Sequence, residues 1–332
     1  MGLVGCATAR KFVEEGHKVI LYDLRPHDPP DYVKEVGDKV KIVQGDISDP
    51  MRILEQIKKY DIAGIIHTAR PTYESPYWFD YPNMYFKWTV EANKDMLELA
   101  RIMDLQYLMV SSGAMYGPRR NDEAMKETDL APSEWCEYSE VGWPDAETTY
   151  QIYIYSKVCM ETTACAYHSM YGVDSYAMRI HEVYGPGDVS FRTFQKDLVT
   201  VLSGKTVELP KDDVGHDYTY NLDAANAFYL AFTVKPKPKY RLMNISGGRN
   251  YYQSDYINAI KKAVPGAQIK IVPPKPRKPE LGRSHHTRGY LDTNLASKQL
   301  GYKPTSLEDS IKEYVGWIKK QPVEELKKQL GL

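Results

Sequence analysis

Gly2-Leu-Val-Gly-Cys-Ala-Thr-Ala-Arg-Lys-Phe-Val-Glu-Glu-Gly-His-Lys-Val-Ile-Leu-Tyr-Asp23 decides how the rest of the chain is read. Gly2-x-x-Gly5 opens a helical run, Ala7–Glu15, with Gly16 placed as its C-cap. His17–Asp23 then reads as a buried strand ending in an acid. Glycines at a helix N-terminus let backbone amides approach a pyrophosphate, and an acid about 20 residues on accepts a ribose hydroxyl. These residues form the back half of a dinucleotide fingerprint, which makes Gly2, Gly5 and Asp23 candidate cofactor ligands. The strand and first glycine expected ahead of Gly2 are missing, so a vacant or substituted first-strand position is expected in the sheet. Two competing readings fail. Leu3-Val-Gly-Cys6 matches a lipobox, but no basic and apolar stretch precedes it, and a myristoylation signal wants Ser or Thr where Cys6 stands.

The pattern repeats outward. Lys41–Asp46 is a short strand ending in Gly-Asp, and Ile47-Ser-Asp-Pro50 caps a helix to about Tyr60. Asp61–Ala69 is an apolar strand with small residues at its end, a helix follows around Thr89–Met103, and Gln106–Ser112 is the next strand. Strands of five to eight residues alternating with amphipathic helices predict an α/β fold with a doubly wound parallel sheet.

Composition narrows the function. The chain has 332 residues, 43 basic against 44 acidic side chains, and a formal net charge of −1, giving no electrostatic reason for a nucleic-acid or membrane partner. No apolar run approaches the roughly 20 residues that span a bilayer. Cys6, Cys136, Cys159 and Cys165 lack the spacing of a metal site or disulfide framework, which suits a reducing, cytoplasmic setting. His285-His286 has no acid or cysteine at ligand spacing, so no metal is expected. One imbalance stands out: 27 tyrosines against 7 phenylalanines.

The chemistry is carried by Ser111-Ser-Gly-Ala-Met-Tyr-Gly117 and by Tyr153-Ile-Tyr-Ser-Lys157. Tyr153 and Lys157, four apart, share one helix face. A lysine ammonium beside a phenol favours the phenolate, which can exchange a proton with a substrate hydroxyl, while a serine from the neighbouring strand end holds that oxygen. Such a set serves hydride transfer between an alcohol carbon and a nicotinamide. A Tyr-x-x-x-Lys match arises readily by chance in a chain this rich in both residues; its order after a Ser-Ser-x-x-x-Tyr-Gly strand end gives it weight.

On these motifs the chain resembles the extended short-chain dehydrogenase/reductases, the NAD-dependent epimerase/dehydratase group. The likeness continues through Arg179–Gly187, Asp217–Asp223, Asn244–Gly248 and Asp292–Lys298. It implies a Rossmann-like sheet domain over 1–175, with a long insertion at 118–149. Residues 176–332 would form mainly a smaller C-terminal α/β substrate lobe, with some segments returning to the sheet. It implies NAD as cofactor, a small-molecule substrate and a homodimer. Tyr153 would be the general acid/base, Lys157 its partner and a ribose ligand, and Ser112 the orienting hydroxyl. Asp46 and Ile47 would flank the adenine, Asp23 would hold its ribose, and His67, Thr68 and Ala69 would line the cofactor path. Asp23 without a basic neighbour favours NAD over NADP, although Arg25 lies two residues on. Ser111, Gly113, Glu182, His216 and Arg283 are the candidate substrate residues.

The sequence also departs from that pattern. Gly113-Ala114 stands where the dehydratases carry Asp-Glu, Glu182 where sugar-nucleotide epimerases commonly carry Asn, and His216 where they carry Arg. A carboxylate near an anionic diphosphate is repulsive, which weighs against a nucleotide-sugar. The long connection to Tyr153 reads as a substrate lid or as a solvated flap, and the aromatic-rich Thr72–Trp88 as a sugar platform or as packing. Three functions stay open: an epimerase, a dehydrogenase or ketone reductase using the same Ser112–Tyr153–Lys157 set, and a non-catalytic dinucleotide-binding or scaffold protein.

Overall fold

The computed structural model describes residues 2–25, 33, 37–71, 81–116, 122–129, 147–188, 194–212, 214–273 and 289–332. Helix α1 (Leu3–Glu14) starts directly behind Gly2, so Gly5 lies inside its first turn, and Gly16 follows its end in the left-handed region at φ +92. Strand β1 (Val19–Asp23) pairs in parallel with β2 (Val40–Gln44), and α2 (Pro50–Tyr60) follows. Asp49 caps α2 by accepting from the Arg52 amide at 3.0 Å, Pro50 occupies the first helical position, and Asp61 stops the helix in a left-handed conformation. Strand β3 (Gly64–His67) comes next. The helix expected near Thr89 begins earlier: α3 (Pro82–Phe86) runs through a π-turn over Lys87–Glu91 into α4 (Ala92–Ile102). Strand β4 (Gln106–Ser112) ends in a 3₁₀ turn, Gly113–Tyr116.

After β5 (Ala124–Met125), the long helix α5 (Glu147–Tyr171) leads to β6 (Ser175–Ile180) and β7 (Val183–Tyr184). The remaining elements are α6 (Phe194–Leu202), β8 (Val207–Pro210), β9 (Thr219–Tyr220), α7 (Asn221–Thr233), β10 (Leu242–Ile245) and α8 (Gln253–Ala263). Then come β11 (Ile269–Val272), β12 (Tyr290–Leu291), α9 (Asn294–Leu300), α10 (Leu307–Ile318) and α11 (Val323–Leu330).

Two parallel ladders follow: β2-β1, and β3-β4-β6-β10 in that order. Among the described residues β1 pairs with β2 alone, and β3 with β4 alone. Burial differs between the two ladders. All of β6 and all but the first residue of β4 are buried, whereas every residue of β1 is only half-buried. Helices span the two ladders on both faces. On one, Cys6 of α1 packs with Leu21 and Val40, while Leu3 and Val4 join the cluster of Ile66 and Phe228. On the other, Tyr22 and Ile65 share a cluster with Ile53, Ile57 and Leu97.

A further apolar cluster is built around Phe194, Leu198, Tyr256, Ile260, Ile311, Tyr314 and Ile318, with β8 paired to β11 and β7 to β9. The tyrosine surplus has a physical reading here and in the sheet. Tyr107, Tyr116, Tyr302 and Tyr314 are fully buried, and their hydroxyls reach Asn93 (2.7 Å), Asn244 (2.8 Å), the Ser246 carbonyl (2.9 Å) and Gln195 (2.8 Å). Each ring fills space as a phenylalanine would and ties one polar group across the core. No described helix is long and apolar enough to cross a membrane. Cys6, Cys159 and Cys165 are free thiols; Cys136 lies outside the described residues.

Strand amides without a ladder partner exchange through smaller openings than those bonded on both sides. Native-state hydrogen exchange should therefore show faster exchange at alternate amides of Val19–Asp23 and Gly64–His67 than throughout Ser175–Ile180. Equal protection would show a closed ladder.

Candidate active site

Strand β4 carries Ser111 and Ser112 to its C-terminal end. The Ser112 Oγ accepts from the Ala114 amide at 3.1 Å and starts the 3₁₀ turn, while Ser111 is buried with its Oγ 3.7 Å from Met115 Sδ. Gly113 is closely packed: a Cβ there would lie 3.0 Å from Leu291 and 3.3 Å from His181. Helix α5 presents Tyr153, Lys157 and Glu161 at successive i, i+4 positions on the face turned toward the sheet. Tyr153 is buried against Met115 and Tyr85. Lys157 Nζ donates to the Val110 carbonyl at 2.7 Å, two residues before Ser112, and lies 5.8 Å from the Tyr153 ring centroid. Burial, followed by repulsion from Arg70, pulls the Lys157 pKa down to about 7. The Arg70 guanidinium itself stands 5.8 Å from the Tyr153 ring centroid. Sequence reasoning passed over Arg70, because a single arginine beyond a strand end carries no pattern of its own.

Glu161, also missed, anchors this helix. Its carboxylate holds Arg179 of β6 through two hydrogen bonds, 2.9 and 2.8 Å, with both side chains at 7% exposure or less. Arg179 also donates to the Tyr116 hydroxyl at 2.5 Å, and Tyr116 donates to Asn244. Asn244 donates in turn to the Met125 carbonyl at 2.8 Å. The network thus joins α5, β6, β10, β5 and the turn after Ser112. A continuation of the Tyr-x-x-x-Lys spacing to Glu161 was its one sequence signal.

The candidate cofactor residues gather at the C-terminal ends of β1, β2 and β3, where open parallel sheets bind ligands. Gly2 is the N-cap of α1 and supplies no side-chain hydrogen bond, which leaves the first-turn amides available. A Cβ on Gly5 would lie 3.0 Å from Thr68 Oγ1, so the helix start is pressed against the residue after β3. Asp23 closes β1 and accepts from the Arg25 amide at 2.9 Å. Asp46 accepts from the Ser48 amide at 2.8 Å and from Trp88 Nε1 at 3.3 Å, with Ile47 half-buried beside it. His67 is buried 3.1 Å from the Tyr107 hydroxyl, and burial drives its pKa down to about 3, so the ring is neutral. Tyr107 directs its proton to Asn93, which makes His67 Nδ1 the donor in this pair. Thr68 and Ala69 follow at the cleft edge.

On the lobe side, Glu182 and His216 are joined: Glu182 Oε2 lies 3.1 Å from His216 Nδ1, and Asp212 Oδ2 lies 3.1 Å from Nε2. Burial works against a charged imidazole, but hydrogen bonds to Asp212 and Glu182 raise its pKa to about 9. Asp212 was not foreseen. Arg283, His285, His286 and most of the 118–149 insertion lie outside the described residues, as does the 72–80 part of the aromatic-rich segment. Within the remainder of that segment, Tyr85 packs on Tyr153 and Trp88 reaches Asp46.

Removing one partner of a buried ion pair leaves the other charge uncompensated, at a cost of about 3–5 kcal/mol. Glu161→Gln should therefore lower unfolding stability by about that amount in denaturant titrations, and an unchanged midpoint would show that the pair holds nothing. Arg70→Gln removes a charge that opposes the Lys157 ammonium, so the basic limb of the kcat/KM profile should move to higher pH. A limb that stayed in place or moved down would rule Arg70 out as a determinant.

Comparison with known proteins bears on this arrangement. Residues 1–246 match the model of the NAD dependent epimerase/dehydratase family. A probable UDP-glucuronate 4-epimerase of Rhizobium meliloti is 21% identical over 95% of this chain and 94% of its own length. The UDP-glucuronic acid 4-epimerase of Bacillus cereus, solved with NAD, superposes with a TM-score of 0.70 at 19% identity, covering 96% of each chain. The dTDP-glucose 4,6-dehydratase of Bacillus anthracis, also with NAD, gives 0.73 at 20% identity, covering 98% of this chain and 96% of its own. With a mixed α/β fold of this order and a family match across most of its length, the chain belongs to the NAD dependent epimerase/dehydratase family.

Proposed function

We propose that the protein is an NAD-dependent epimerase that inverts one secondary-alcohol carbon of a sugar-like substrate through Ser112, Tyr153 and Lys157. The placement of Lys157 carries this reading. Its bond to the Val110 carbonyl ties α5 to β4, so Tyr153, one turn earlier on the same face, stands beside the strand end that bears Ser112. The residues present suit a dinucleotide: α1 begins with uncapped amides behind Gly2, Gly5 permits close approach to Thr68, and Asp23 and Asp46 close the two strands alongside. When bound, its nicotinamide accepts the hydride from the carbinol carbon and returns it.

The side chains handle the proton. Tyr153 as phenolate takes the hydroxyl proton while the carbon is oxidised, and gives it back when the ketone is reduced from its other face. The Lys157 ammonium stabilises that phenolate by charge, and Ser112 holds the reacting oxygen. Protons and electrons balance over the cycle, so no reduced cofactor accumulates. The relatives named for UDP-glucuronate support a sugar as substrate. Within the dehydrogenase alternative the same residues act, and the ketone leaves.

Tyr153→Phe keeps the ring and removes the exchangeable proton. Loss of a positioned acid/base lowers turnover by about 10²- to 10⁴-fold, and that loss is expected here with NADH binding, followed by its fluorescence, retained. Undiminished turnover would remove Tyr153 from the reaction. Net substrate-dependent NADH would replace the epimerase with a dehydrogenase.

A further inference from the structure

The C-terminal ends of β1 and β2 bring two acids side by side. The strands pair with Asp23 opposite Gln44, and the Gly45 amide donates to the Asp23 carbonyl at 3.0 Å, so Asp46 stands just beyond that closure. Its backbone is clamped. The Asp46 carbonyl accepts from the Tyr22 hydroxyl at 3.0 Å and the Asp49 amide at 3.1 Å, and a Cβ on Gly45 would overlap the Tyr22 hydroxyl. Its carboxylate is held from two sides: Oδ1 accepts from the Ser48 amide at 2.8 Å, and Oδ2 from Trp88 Nε1 at 3.3 Å, across 42 positions of sequence. Trp88 lies in the π-turn Lys87–Glu91, where the Ala92 amide reaches back five residues to the Lys87 carbonyl. Such a turn adds one residue to the α-helical repeat and rotates the side chains on its two sides relative to one another. Tyr85, before the turn, packs on Tyr153, while Trp88, within it, reaches the end of β2.

Resting on NAD as the cofactor of the epimerase reading, we propose that Trp88 is a positioning residue for the cofactor's base: its indole N–H fixes the Asp46 carboxylate to accept from the exocyclic amine of adenine. The chemistry favours that group. A carboxylate accepts hydrogen bonds and donates none, and of its about four lone-pair sites the Ser48 amide and Trp88 take one on each oxygen. Acceptor capacity is left on both, in a plane that the two donors hold. An indole carries one donor and no acceptor, so Trp88 acts on the base edge through Asp46. Hypoxanthine presents a carbonyl where adenine presents the amine, and two acceptors facing each other repel. The chain therefore prefers an adenine dinucleotide to its hypoxanthine counterpart, and that preference depends on Trp88.

The test displaces NADH from the full chain with NAD or with deamino-NAD, in which hypoxanthine replaces adenine, and follows NADH fluorescence. A hydrogen bond to a charged acceptor changes binding by about tenfold or more, so the wild type should prefer NAD by at least about tenfold. Trp88→Phe keeps an aromatic ring and removes the N–H, and its preference should fall at least about threefold. Asp46→Asn should lower the preference too. Adding Trp88→Phe to it should change the preference by less than about twofold, because the acceptor that Trp88 orients is already gone. A Trp88 that only packs would weaken both dinucleotides equally. An unchanged preference in Trp88→Phe, or no preference in the wild type, overturns the proposal. Should Trp88→Phe unfold, which its melting curve reveals, the indole N–H resonance of Trp88 in the isotope-labelled wild type decides. Saturating NAD should move it further than saturating deamino-NAD, and equal shifts overturn the proposal. Tyr153→Phe should keep the wild-type preference, so failure of the epimerase reading appears in turnover and failure of this one in the ratio of the two dinucleotides.

Discussion

The buried pair between Glu161 of α5 and Arg179 of β6 is the constraint on which the active site depends. It is the point where the helix bearing Tyr153 and Lys157 is tied to the centre of the sheet. A pair at this depth is no automatic gain in stability, since stripping water from two charges offsets most of their attraction. What it supplies is position. Both guanidinium bonds are directional, and the same Arg179 reaches Tyr116 in the turn after Ser112. One side chain therefore sets the helix and the serine turn against a common reference, which a purely apolar contact would leave free to slide.

Charge in the cleft is unevenly distributed. Arg70 and Lys157 each lie 5.8 Å from the Tyr153 ring centroid, and burial pulls the lysine pKa down to about 7. At the lobe end, carboxyl groups surround a single imidazolium.

Among the described residues the two parallel ladders are joined by their helices. Helix α1 contacts residues of β1 and β3 alike, and Tyr22 and Ile65 meet in one cluster on the opposite face. Apolar burial thus continues where the backbone ladder stops. Every residue of β1 stays half-buried, and among the described residues its only ladder partner is β2.

The sequence by itself determined the alternation of strands and helices, the parallel sheet, and the shared face of Tyr153 and Lys157. Each of these is periodic or local: a strand shows its burial within five residues, and an i, i+4 pair meets through helix geometry alone. Only the tertiary structure decided that Arg70 stands beside Tyr153, that Glu161 meets Arg179, and that Asp212 joins Glu182 on His216. It also placed four of the 27 tyrosines as buried rings with bonded hydroxyls. Those pairings join residues up to 128 positions apart, as Tyr116 and Asn244 show. They depend on which element ends face one another after packing, and no local pattern in the chain encodes that.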